Sequence, residues 1–239
     1  MNAVTIAVIV VAVFLASCMQ ASIGFGMGML AAPVVALVAP ALLPGLLIAS
    51  ATVVTLMVVV RERASLDLRG TGWALAGRVP GTVAGALLLV WLPARGLSLL
   101  LAAVVLGGVA VAATGWRPAP LRRNLATAGA ASGLLGTATS IGGPPMALVY
   151  SGAANAHVRS NMSAFFLVGS LMSLGALAVT GSLSGDILQA FVALVPAVML
   201  GFVASRFINR FLDRNRLRAV SIIVSALGAT ALIGQQIFF

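Results

Sequence analysis

The chain has 239 residues, of which 61% are hydrophobic and 8% charged, and its mean hydropathy is +1.15. Soluble globular domains carry about 25% charged residues, so this composition excludes a soluble enzyme, a disordered protein and a disulfide scaffold. The formal net charge of +10 sets 14 arginines, with no lysine, against 4 acids; clustered between apolar runs, they read as membrane-surface anchors and not as a nucleic-acid footprint.

Met1 to Val60 carry no charge at all. A hydrocarbon core needs about 20 apolar residues per helix. The apolar runs are continuous rather than alternating, which excludes an outer-membrane barrel and predicts an all-α, polytopic membrane protein. Residues 1–17 lack a basic n-region. Leu15-Ala16-Ser17-Cys18 resembles a lipoprotein cleavage site, but the apolar character runs on past it, so the N-terminus reads as a retained span. Cys18 is the lone cysteine and makes no internal disulfide.

Charge-free runs and Pro/Gly punctuation divide the chain into segments 3–22, 27–39, 42–60, 71–93, 97–116, 124–140, 144–156, 160–181, 187–205 and 219–238. The second and seventh are short; a 12-residue helix covers only about 18 Å. If each short piece were fused to its predecessor as one span, the two sides would collect 6 and 7 loop arginines, which is no bias. If instead each long-plus-short pair enters and leaves by the same face, one side collects 12 and the other only Arg95. The positive-inside rule selects the second topology. It places both termini outside the cytoplasm and the arginine-rich loops within it.

Each half, 1–116 and 117–239, then becomes a broken, re-entrant hairpin followed by three transmembrane helices. An odd number of segments inverts the second half relative to the first, which is a transporter architecture. Pro33 is echoed by Pro145, 112 residues on, and Pro80 and Gly85 by Pro196 and Gly201, both at 116.

The hairpins turn through poor helix stretches. The first is Ser22-Ile23-Gly24-Phe25-Gly26-Met27-Gly28, and the second runs from Gly136, Thr137, Thr139 and Ser140 to Gly142, Gly143, Pro144 and Pro145. Irregular backbone at membrane depth survives only when buried in protein or lining a wet cavity, and paired interruptions in two halves mark a transport site. The short helices begin after the breaks, so their free N–H groups and positive dipole ends suit an anion. Thr137, Thr139, Ser140 and Ser22 would add hydroxyl donors. The competing reading is that Gly and Pro merely allow tight packing and kinks.

At these motifs the sequence resembles the TauE/SafE family of sulfite-exporter-like membrane proteins. The matching pieces are GFGMGMLAAPVVALVAP at 24–40, SGLLGTATSIGGPPMALVY at 132–150, the R-S-N-M-S-A-F-F stretch from Arg159, and the Pro80/Gly85 and Pro196/Gly201 spacings. The resemblance implies a secondary transporter for small sulfur-containing anions such as sulfite, thiosulfate or organosulfonates, without selecting one, and leaves export against uptake open.

Arg78 lies inside the fourth segment. An intramembrane arginine costs at least a few kcal/mol and faces a cavity, a partner or, by snorkelling, the surface. It is therefore read either as an anion ligand or as an anchor reaching the cytoplasmic face about eight residues away. Tyr150 and Asn161 can donate to a ligand or to backbone carbonyls. His157, the only histidine, reads either as a proton carrier in coupled transport or, the favoured reading, as part of a cytoplasmic connection with Asn155 and Arg159. Arg159 reads as a positive-inside anchor, the alternative being that it draws anions toward the cavity, and Asp186 as a helix cap or solvated acid. Gln20 and Gln189 interrupt apolar runs without an assignable role. The Met residues make no metal array, no carboxylate pair or His/Cys cluster lies within the spans, and there is no P-loop, so no metal, cofactor or ATP site is expected. Catalysis is disfavoured for the same reason. A passive anion channel or an accessory membrane subunit remains the alternative to a carrier. Small-residue faces suit a homo-oligomer, but no motif fixes a number.

Overall fold

The computed structural model describes residues 2–66, 71–116, 118–150, 156–211, 223 and 226–234, and they are helical with short connections and no strand. Helix α1 spans Ala3–Ile23; Asn2 caps it by accepting from Thr5 N at 2.8 Å. It ends because Gly24 turns left-handed at φ 91°, sending its N–H back to Gln20 O at 2.8 Å, a step that glycine makes without a Cβ penalty. The return helix α2 spans Met27–Val38. A 3₁₀ turn at Pro40–Leu42 leads into α3, Gly45–Arg61. Then follow α4 (Thr71–Trp91), α5 (Ala94–Ala113), α6 (Arg122–Thr139), α7 (Gly143–Val149), α8 (Ala156–Val179) and α9 (Gly185–Phe211), and residues 226–234 are again helical.

Five helices are long and apolar enough to cross a membrane, covering Ala3–Ile23, Thr71–Trp91, Ala94–Val111, Val158–Val179 and Gly185–Phe207. Helices α2 and α3 are apolar but shorter. On α4 the exposed residues Val79, Val83, Leu87 and Val90 form one stripe, and the buried ones are Thr71, Ala74, Arg78, Gly81, Thr82, Gly85 and Ala86. Large branched side chains thus face outward and small ones inward, which is the membrane pattern for close helix packing.

Helix α4 meets α6 at backbone distance. A Cβ on Gly77, Gly81 or Gly129 would collide with the carbonyl of Ala126, Ala130 or Ala74 respectively. On the other side of the molecule α9 packs on α1, where a Cβ on Gly201 would stand 2.5 Å from Phe14 O. Helices α3 and α8 pack together between these pairs. Two apolar cores result, one around α1, α2, α3 and α9, the other around α4, α6, α7 and α8, and Phe25 packs against both.

The second break repeats the first in form. Ser140 ends α6 in the left-handed region at φ 65°, and Gly142 begins α7. Gly24 and Ser140 are 116 residues apart, as are Gly26 and Gly142, the same offset as Pro80/Pro196 and Gly85/Gly201. The Pro33/Pro145 echo is not part of this series: Pro33 lies well inside α2, whereas Pro145 is in the first turn of α7. The seventh segment is also shorter than the 144–156 expected from sequence, since α7 ends at Val149 and its cap Tyr150. His157 falls in the first turn of α8 and not in a loop; its side chain and all of Asn155 lie outside the described residues.

Candidate functional site

The two breaks touch. A Cβ on Gly28 would collide with the Ser140 carbonyl, and one on Gly143 would come within 3.0 Å of the Phe25 ring. Beside this crossing lies a cavity of ≈ 40 Å³, on the scale of a few waters, since one needs about 10–15 Å³. Of the residues expected at the site, Phe25, Gly26, Gly28, Arg78, Gly136, Ser140, Gly142 and Gly143 line it.

Arg78 is 3% exposed and faces the cavity, so it does not snorkel. Its Nη1 donates to Ser132 Oγ at 3.1 Å, and Ser132 Oγ donates to Gly142 O at 2.7 Å, tying the guanidinium to the second break. The Phe165 and Phe166 rings flank it at 4.8 and 5.7 Å. Room for it exists because residue 169 is glycine, where a Cβ would collide with Arg78 Nε. Among the described residues that Nε has no hydrogen-bond partner. Among the described residues the ion pairs are Arg61–Glu62 and Arg159–Glu62, so no carboxylate neutralises Arg78.

The other expected residues stand back from the cavity. Ser22 Oγ donates to Cys18 O and Thr139 Oγ1 to Leu135 O, both at 2.7 Å, so these hydroxyls serve their own helices. Thr137 Oγ1 pairs with Ser173 Oγ at 2.8 Å, one layer behind the wall. Gly24 lies against the Arg159 backbone, Pro144 against Gly108, and Tyr150 joins the second core. Asn161, half-buried on α8, is not among the lining residues. Asp186 is exposed near the start of α9, and the cap there is Ser184, whose Oγ accepts from Ile187 N at 3.3 Å.

Sequence reasoning missed Gln20, Ser132, Phe166, Ser170 and Ser173; all but Ser132 line the cavity. Gln20 Oε1 accepts from Met27 N at 3.0 Å and so caps α2 across the break. Met27 N is therefore not one of the free donors expected at the start of α2. The one signal for Gln20 was an amide inside a charge-free run. We expect Gln20→Leu to cost about 1 kcal/mol, the usual worth of one buried hydrogen bond, read as a lower melting temperature in detergent; an unchanged melt would show that α2 needs no cap.

A family model described as sulfite exporter TauE/SafE matches residues 9–232. The chain belongs to this family. No curated protein and no solved structure shows significant similarity to it. Membership, together with the five long apolar helices, makes the chain a multi-pass membrane protein of a transporter family. The match spans both breaks, Arg78 and the α4–α6 contact.

Proposed function

We propose that this TauE/SafE member is a secondary transporter for small sulfur-containing anions, binding one ion at a time between its two broken helices. The observation that carries the reading is Arg78: a buried guanidinium, uncompensated by any described carboxylate, with an unpartnered Nε and a cavity beside it. A charge in that position is tolerated when its partner is a ligand, and a planar fork of N–H donors matches an oxyanion. The hydroxyl of Ser140 and those of Ser170 and Ser173 in the wall add polar surface. The cavity volume favours a compact ion such as sulfite or thiosulfate over a long sulfonate.

Two features support an inverted-repeat organisation with halves 1–116 and 117–239. The breaks recur at an offset of 116 residues, and α4 packs on α6 as α9 packs on α1. Alternating access about the shared centre follows from such a design. Arginine distribution supports termini outside and arginine-rich connections inside a bacterial cytoplasmic membrane. The test is counterflow in proteoliposomes loaded with sulfite, thiosulfate, sulfoacetate, sulfate or chloride. Saturable exchange of a small sulfur oxyanion is expected. Flux that never saturates would make the protein a channel, and no flux with any ion would make it an accessory subunit.

A further inference from the structure

One ionic cluster lies outside the cavity and is not used by the reading above. At the end of α3, Glu62 is held from two sides. Arg159, on α8, donates from Nε to both carboxylate oxygens at 2.8 Å, and its Nη2 stands 2.7 Å from Oε1. Arg61 Nη2 donates to Oε1 at 3.0 Å and to Ala21 O, in the last turn of α1, also at 3.0 Å. Ser160 Oγ donates to Glu62 O at 3.2 Å. The carboxylate thus joins α3 to α8, and the Arg61 guanidinium that it holds reaches α1.

Its position relative to the cavity is what gives it meaning. Gln20 lines the cavity and the next residue, Ala21, binds Arg61. Gly24 rests on the Arg159 backbone and the next residue, Phe25, lines the cavity. The cluster is thus one residue away from the cavity wall along both arms of the first break. It is reachable from solvent, with side-chain exposures of 23% for Arg159 and 10% for Glu62. It also holds surplus positive charge, because Arg206 stands near enough to repel Arg61. Two arginines bind this one acid while a third stands near Arg61, and the acid presents the two oxygens that an oxyanion would present.

We propose that Arg159 and Arg61 form a second oxyanion station at the mouth of the cavity, and that Glu62 occupies it as a tethered competitor, latching that mouth shut until a substrate anion displaces its carboxylate. The identity of the ion rests on the transporter reading; the latch does not. Among the described residues no ion pair joins the second break, where Ser140 Oγ donates to Pro44 O, just ahead of α3, at 3.0 Å.

The test uses the full chain with Cys18→Ala and Ala51→Cys, which puts a single thiol in the cavity wall. In vesicles of known orientation, Glu62→Gln is expected to speed labelling by a membrane-impermeant thiol reagent added at the Arg159 face by roughly tenfold, the scale of one lost charge-assisted bond. Sulfite affinity, read by thermal shift at matched ionic strength, is expected to tighten by a similar factor. The double variant Glu62→Gln/Arg159→Gln keeps the faster labelling and loses the tighter binding, and because it restores charge balance it also guards against misfolding of the single variant. Unchanged labelling in both variants overturns the latch, and faster labelling without tighter binding overturns the station. A parent chain that ignores sulfite altogether would instead sink the substrate reading, with labelling still deciding the latch.

Discussion

Arg78→Met is expected to reduce sulfite counterflow at least a hundredfold while leaving the melting temperature of the detergent-purified protein unchanged or higher. The two halves of this prediction come from one geometry. Charge-assisted hydrogen bonds to an anion are worth about 1.5–3 kcal/mol each, so losing two from a guanidinium fork accounts for the flux. The same guanidinium has no described carboxylate partner and an unpartnered Nε. In the empty protein it is a desolvated charge, and replacing such a charge with an apolar side chain of similar length tends to be neutral or stabilising. Its contacts with Phe165 and Phe166 survive in part, because methionine also packs well against rings. A purely structural arginine would behave oppositely: its removal would lower the melt and leave residual transport in proportion to folded protein. Arg78→Lys keeps the charge but loses the fork, and should fall between.

Gly81→Ala should be among the most damaging single-methyl changes in the membrane region, with Gly77→Ala and Gly129→Ala at the same helix contact. A Cβ on Gly81 would collide with the Ala130 carbonyl, which is backbone and has no rotamer to escape into. Overpacking of this kind costs about 1–3 kcal/mol, and here it also displaces α4, which carries Arg78. The control is Gly175→Ala on α8, where nothing lies within 4 Å of the new methyl. There the higher helix propensity of alanine should stabilise by about 0.5–1 kcal/mol. Melting temperatures of the two variants in one detergent check the pair; equal shifts would refute the close α4–α6 contact.

Much of the helix layout was legible because membrane sequences punctuate themselves. The charge-free runs place α1 and α2 to within one residue and α3 to within three, and the breaks at Gly24–Gly26 and Ser140–Gly142 fall where glycine and a left-handed turn were needed. The site was less legible. Whether a membrane hydroxyl bonds a ligand or its own preceding turn depends on a rotamer, and serine and threonine satisfy both equally from sequence; hence Ser22 and Thr139 were expected at the cavity and bond their own helices instead. Ser132 and Gln20 act through partners ten and seven residues away, across breaks whose geometry no periodicity describes. The direction of Arg78, by contrast, was readable in principle. It shares a helix face with Ala74, Gly81 and Gly85, opposite Val79, Val83 and Leu87, and small residues mark the packed side.

The glycine contact between α4 and α6 has a mechanical consequence. With backbones that close, the two helices offer no slack for sliding, and Arg78, Ser132 and Gly142 travel as one piece. The guanidinium and the second break therefore keep their spacing throughout any cycle. Opening has to occur at softer joints: the Thr52–Ser170 hydroxyl pair between α3 and α8 at 2.8 Å, and the Ser140–Pro44 bond. If Arg78 binds the ion as proposed, the ion's charged partner moves with the block, and the way out opens where that block meets α3.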